Sequence, residues 1–315
     1  GNERAAGAVR ARPLEVLHTF NGAHISEGIA AAEKSKSPAL RLAALQILAR
    51  RDPERALPVI RRLATEGTEE EQRAAFLALG RLNRPETPQL LILALDRLAA
   101  SKVHVGAQFE LLDVVEKSTD RQVQARWNAL KAAWAAGDDP LAPYRGALSG
   151  GNVRRGAMIF AEHPALPCIR CHKVNGDGGE AGPDLTLIGK QKSPEYLLES
   201  VIEPNAKIAA GFDLVTLKLA NGSSESGSLV SESATQVVLR RADGTEAVID
   251  PKQVSERQAA PSSMPDIYEQ MLSRSELRDL IAFLRVLNTV EPGIGTSSRA
   301  TKGNRVCRPV HRHRR

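Results

Sequence analysis

The spacing of apolar positions changes period along the chain. From about Pro13 to Leu148 they recur every three to four residues, which places them on one face of an α-helix. Leu40, Ala43, Ala44, Ile47 and Leu48 form one such face, opened by Ser37-Pro38, and Leu57, Ile60, Leu63 and Ala64 form the next, opened by Asp52-Pro53. Each start joins a capping side chain to a proline, whose missing N–H has no partner to lose in a first turn. Further faces follow Thr68 (Ala74, Ala75, Leu77, Ala78), Thr87-Pro88 (Leu91, Leu95, Leu98), Val105 (Phe109, Leu112, Val115) and Thr119-Asp120 (Val123, Trp127, Leu130, Trp134). Amphipathic helices of this length, joined by short polar breaks, predict an all-helical region of stacked antiparallel pairs.

Asp138-Asp139-Pro140 to Ser149-Gly150-Gly151 reads as a linker, with turn formers at both ends. A helix over 152–161 carries Gly156 and Phe160 on one face, and a glycine-rich loop runs from Gly176 to Leu187. Ser193-Pro194-Glu195 opens a short helix that Glu203-Pro204-Asn205 stops. The period then shortens to two. Phe212 to Leu219, Gly227 to Val230, Gln236 to Arg240 and Ala247 to Asp250, divided by Asn221-Gly222 and Asp243-Gly244, predict a small antiparallel β-insert at about 211–256, a barrel or a meander. An irregular loop follows from Ala259 to Asp266. The last helix carries Leu277, Leu280, Ile281, Leu284 and Leu287, with Ser273 and Glu276 as a capping box. The fold is thus expected to be mainly α, with a helical domain at 1–148, a second helical domain bearing the β-insert at 149–292, and a tail at 293–315.

A chain of 315 residues with 42% hydrophobic content can bury two or three cores. No run approaches the roughly 18 consecutive apolar residues of a membrane span. The formal charge of +6 invites a nucleic-acid reading until its distribution is considered. Seven Lys or Arg and no acid lie between Arg299 and Arg315, leaving a formal −1 for the preceding residues. The basic balance belongs to the tail, which is expected to be solvated and disordered, and no nucleic-acid partner is expected. Gly1-Asn2-Glu3-Arg4 has neither an initiator Met nor a signal-peptide core, so the chain reads as a piece of a longer or processed protein.

The chemistry concentrates in Cys168-Ile169-Arg170-Cys171-His172. Two thiols three positions apart, followed by an imidazole, form the attachment arrangement of a c-type haem. From the composition alone such a pentapeptide would occur about 0.0006 times in a chain of this length. The motif predicts one covalent haem c, with Cys168 and Cys171 in thioether bonds and His172 on the iron. Cys307 is then left alone in the tail, without an intrachain disulfide framework. Covalent haem attachment takes place outside the bacterial cytoplasm, so a periplasmic or otherwise exported location is expected. For the second axial ligand Met264 is the candidate, since it lies in an irregular loop between Pro261 and Pro265. Met158 and Met271, in or beside helices, read as gap-filling core residues. His163, five positions before Cys168, is the alternative among the histidines, while His18, His24 and His104 lack a second ligand at metal spacing. A Met/His pair raises the potential and fills both axial positions, which favours transfer of single electrons.

Two resemblances extend this reading. The helix-pair spacing of the first region resembles HEAT or armadillo repeats, which implies an α-solenoid acting as a rigid spacer. From Gly151 to Asn288 the chain resembles a class I cytochrome c domain, through Gly156, Phe160, the pentapeptide, Gly182-Pro183-Asp184-Leu185, Met264-Pro265 and Asp279-Leu280-Ile281-Ala282-Phe283-Leu284. That resemblance implies crossing first and last helices and a Pro183 carbonyl that orients His172 through Nδ1. Phe160, Leu185 and Ile188 are expected in the haem pocket.

Tyr196-Leu197-Leu198-Glu199-Ser200, Pro204-Asn205-Ala206-Lys207-Ile208, Gly211-Phe212 and Ser262-Ser263-Met264-Pro265 are similar to one branch. It is the haem-binding C-terminal domain of large membrane-bound dehydrogenases of Planctomycetes and Verrucomicrobia. The branch implies an electron-transfer module served by a dehydrogenase domain or partner, and no catalysis by this chain alone. A peroxidase is the enzymatic alternative, although c-type peroxidases generally use two haems and one attachment motif is present. A HEAT-type scaffold with a structural metal is the other, although a second paired-cysteine motif is missing.

Overall fold

Residues 24–289 are described by the computed structural model, except 83, 166, 242–244 and 267–270, and of His24 and Ile25 only the backbone. The expectations for the tail, Cys307, His18 and the Asp243-Gly244 turn lie outside the described residues. The helical period becomes α1 (His24–Glu33), α2 (Pro38–Arg51), α3 (Pro53–Glu66), α4 (Glu69–Leu79), α5 (Thr87–Ala99), α6 (Gln108–Glu116) and α7 (Arg121–Ala135). The starts of α3, α4 and α7 are held by side chains, whereas Ser37 stands at the N-cap of α2 without a side-chain bond to its first turn. Asp52 accepts from the Arg55 N–H at 3.2 Å, Thr68 and Glu71 close a reciprocal capping box, and Asp120 accepts from the N–H groups of Gln122 and Val123. Val105 opens a 3₁₀ turn, Val105–Ala107, before α6. Consecutive helices pack together from α1 to α4 and from α5 to α7, and α2 also meets α4, α3 meets α5, α4 meets α6 and α5 meets α7.

The stretch read as a linker folds. Residues Ala142–Leu148 form a 3₁₀ helix that buries Leu141, Gly146 and Ala147, and a Cβ on Gly146 would come within 2.8 Å of the Phe109 ring. The turn formers at its ends obscured the apolar residues between them.

The second half begins with α8 (Val153–Glu162), a 3₁₀ turn over Cys168–Arg170, and a tight hairpin of β1 (Lys173–Val174) and β2 (Asp177–Gly178). Then come α9 (Ile188–Gln191) and α10 (Pro194–Ile202). The β-insert comprises β3 (Leu214–Leu219), β4 (Ser224–Glu232), β5 (Val237–Arg240), β6 (Glu246–Ile249) and β7 (Val254–Ala259), all antiparallel in the order β6-β5-β4-β3-β7. Laid flat, its outer strands would stand about 19 Å apart, four spacings of ~4.8 Å. The connection from Ile249 to Val254 passes through a 3₁₀ turn and spans at most about 14 Å. The meander is therefore rolled towards a barrel, helped by a bulge between Leu229 and Ser231 in β4.

Last comes α11 (Arg274–Val286), whose N-terminus carries the expected Ser273–Glu276 capping box. It crosses α8 closely. A Cβ on Gly156 would run into the Asp279 carbonyl oxygen and lie 2.7 Å from the Phe283 Cβ, and the rings of Phe160 and Phe283 stand 5.5 Å apart. One continuous apolar core runs from Ile29 in α1 to Leu287 after α11, whereas Val215, Leu217, Val237, Leu239, Ala247 and Ile249 form a separate core in the insert.

Candidate functional site

The pentapeptide is shaped by short-range backbone bonds. The Cys171 and His172 N–H groups both donate to the Cys168 carbonyl, at 3.1 and 2.9 Å, so the chain turns within the motif. Neither Cys168 nor Cys171 is in a disulfide, and they are half-buried and exposed respectively. The following hairpin then folds back. Gly179 donates to the Ile169 carbonyl at 2.9 Å, Gly182 to the Cys171 carbonyl at 2.8 Å, and Leu185 to the Lys173 carbonyl at 2.8 Å. This lays residues 179–185 against the motif and brings the Pro183 carbonyl 3.0 Å from His172 Nδ1.

A carbonyl only accepts, so the hydrogen of that bond sits on Nδ1, and Nε2 keeps its lone pair. Burial lowers the affinity of His172 for a second proton, against an opposing pull from the Pro183 bond, so the ring is neutral near pH 7. Gly182 lies flat against the imidazole, and a Cβ there would stand 2.7 Å from His172 Cε1. Burial also pushes the Cys168 thiol up to about 11.

These residues form one wall of a cavity of about 550 Å³, within the range of cofactor sites. Phe160 of α8, Leu197 and Val201 of α10, and Leu280 and Leu284 of α11 supply apolar walls. Leu185, Ile188 and the loop Ser262-Ser263-Met264-Pro265 complete it. Cys168, Cys171, His172, Pro183, Phe160, Leu185, Ile188 and Met264 are thereby brought to a single cavity. Two thiols, a neutral imidazole and a thioether around an apolar chamber suit a haem in donor chemistry and in size.

Met158, Met271 and His163 do not line the cavity. The reading of Met158 as a core residue is corrected: it is 57% exposed, because Gly156 and Phe160 take the inward face of α8. Three other lining residues had no role from sequence. The ammonium groups of Lys192 and Lys207 stand 4.5 and 6.0 Å from the Tyr196 ring centroid, and all three border the cavity. Tyr196 and Lys207 lay within recognisable motifs, but nothing in their spacing spoke of chemistry. Among the described residues no group of three or more His, Cys, Asp and Glu side chains is placed to hold a metal ion, and no helix is long and apolar enough to cross a membrane.

Comparison with known families falls into the same two parts. Residues 25–103 match the family model described as HEAT repeats, and residues 153–225 match the one described as cytochrome c. The second match contains Cys168, Cys171, His172 and Pro183 and ends inside the β-insert, before Met264. A search of curated proteins finds no match. This chain therefore carries a HEAT-repeat region followed by a cytochrome c domain, and that domain implies a haem cofactor and a haem-based electron-transfer role.

Proposed function

We propose that the chain is a c-type electron-transfer module that takes single electrons from a dehydrogenase domain or partner and hands them to a downstream carrier, in the periplasm or another exported compartment. The observation that carries this reading is the His172 ring, tied through Nδ1 to Pro183 in the same cavity as the Cys168 and Cys171 sulfurs and the Met264 thioether. Cys168 and Cys171 would hold one haem c covalently, and His172 Nε2 and Met264 Sδ would be its axial ligands. The group supplies a one-electron iron couple when bound. The chain's own residues keep the imidazole neutral and aimed, and line the chamber with Phe160, Leu185, Ile188, Leu280 and Leu284, which excludes water. With His172 and Met264 both holding the iron, no place on it would be left open to small molecules, which would favour relay over peroxidase chemistry.

The HEAT-repeat region is read as a rigid α-solenoid spacer that holds the haem domain at a fixed distance from its electron donor. The dehydrogenase association rests on the Pro204-Asn205 and Ser262-Ser263-Met264-Pro265 motifs and on the β-insert between them. The test is the absorption spectrum of the purified holoprotein before and after acidic solvent extraction. A low-spin spectrum whose haem resists extraction is expected. Haem that extracts freely, or protein that retains none, would overturn the proposal.

A further inference from the structure

Met264 lies outside any helix or strand, so something other than a ladder must hold it. Between Ala260 and Pro265 the two prolines, Pro261 and Pro265, have no N–H to give. The Ala260 N–H donates to the Leu214 carbonyl at 2.8 Å, closing the end of the β3–β7 ladder beyond the pair Val215 and Ala259. The Ser262 N–H donates to Asn205 Oδ1 at 2.7 Å, across 57 residues, and the Met264 N–H donates to Ser262 Oγ at 3.2 Å. Asn205 itself sits in the turn after α10, where the Ala206 N–H donates to the Glu203 carbonyl at 2.9 Å beside buried Pro204.

We infer that Asn205 is the positioning residue for Met264: the β-insert leaves and returns at one point, and the Asn205 carboxamide oxygen latches the returning loop so that its thioether faces the cavity. The inference rests on the reading of Met264 as an axial ligand. It gives the insert a role beyond bulk. The β3–β7 ladder brings the chain back, and the side-chain latch sets where Met264 stands. Because the latch only accepts a hydrogen bond, its chemistry is specific. Asn205→Asp keeps the acceptor, and Asn205→Ala removes it.

The experiment uses the holoprotein and reads three things: the ferric sulfur-to-iron charge-transfer band, the reduction potential, and the rate at which the ferrous form binds carbon monoxide, which requires Met264 to step aside. Asn205 is exposed, so its replacement leaves folding intact, checked by circular dichroism. Asn205→Ala should raise the carbon monoxide rate about fivefold, the worth of one net hydrogen bond, and lower the potential. Asn205→Asp should restore both. Met264→Ala should abolish the band and open the metal fully. If Met264→Ala changes nothing, the ligand reading falls and the latch with it. If Met264→Ala abolishes the band but Asn205→Ala behaves as wild type, or Asp fails to rescue, the positioning role alone is overturned.

Discussion

Two regions are appended to the cavity, and they are joined to it in opposite ways. The N-terminal helical region, of which residues 25–103 match HEAT repeats, shares its apolar core with α8, α10 and α11 without a break, and Arg274 of α11 reaches Asp113 and Glu116 of α6, at 2.8 and 2.5 Å. The β-insert keeps its own core and, among the described residues, borders the cavity only through the chain that enters and leaves it. A shared core makes two regions unfold as one, whereas a separate core lets a module open without its host. Thus His172 stands on the large cooperative body, and Met264 packs against that same core on a loop that returns from the smaller one. Under the proposed ligation, His172 would be held by the large core alone, while Met264 would also answer to the loop that leaves the insert.

The largest expected effect comes from breaking the shared join. Glu110 of α6 lies buried between Arg73 at 3.0 Å and Arg278 of α11 at 2.9 Å. Glu110→Ala strands the Arg278 guanidinium, only 10% exposed, without a counter-charge, and should cost about 4 kcal/mol. If the core is one body, far-ultraviolet dichroism and haem absorbance will shift together along a denaturant titration. A haem transition that stays in place while the helical signal moves would separate the two regions.

A smaller and more local effect tests the other side. Leu239 is fully buried in the insert core, so Leu239→Ala should destabilise the insert by about 3 kcal/mol. Amide hydrogen exchange would then quicken in β3 to β7 while α8 and α11 keep their protection. Equal loss of protection in α11 would show that the insert is not a separate unit.

Local physics decided how much of this was legible. The caps at Asp52, Thr68, Asp120 and Ser273 were readable because each acts within three residues of itself. The pentapeptide was readable for the same reason. The β1–β2 hairpin was passed over inside a glycine-rich loop, although Asn175-Gly176, with Asn175 at φ 52°, is the dipeptide that such a turn prefers. Strand β7 escaped notice because Ser255, Glu256, Arg257 and Gln258 are all exposed on an edge strand, so no apolar alternation marks it. Longer-range features left no trace. The pairing of Glu110 with Arg278 spans 168 residues, and that of Asn205 with Ser262 spans 57. Neither position differs in composition from an ordinary surface site until the fold brings its partner.

The smallest effect concerns the rim of the shared join, and its sign is fixed by linkage. The hydrogen bond from Arg274 holds the Glu116 carboxyl below its ordinary value of 4.5, against the opposing effect of partial burial. A depressed folded-state value means that the pair stabilises the protein above about pH 4.5 and that this contribution disappears as pH falls through the folded value. With Arg274 26% and Glu116 43% exposed, water and salt screen the pair, so the gain is under about 1 kcal/mol. Glu116→Gln should therefore match the acid-side stability of the native chain and fall slightly below it near neutral pH, with the gap closing in high salt. Denaturation midpoints measured on both proteins across that range would check it. A gap that persists in acid would mean that packing of the Glu116 side chain, and not its charge, supports this edge of the interface.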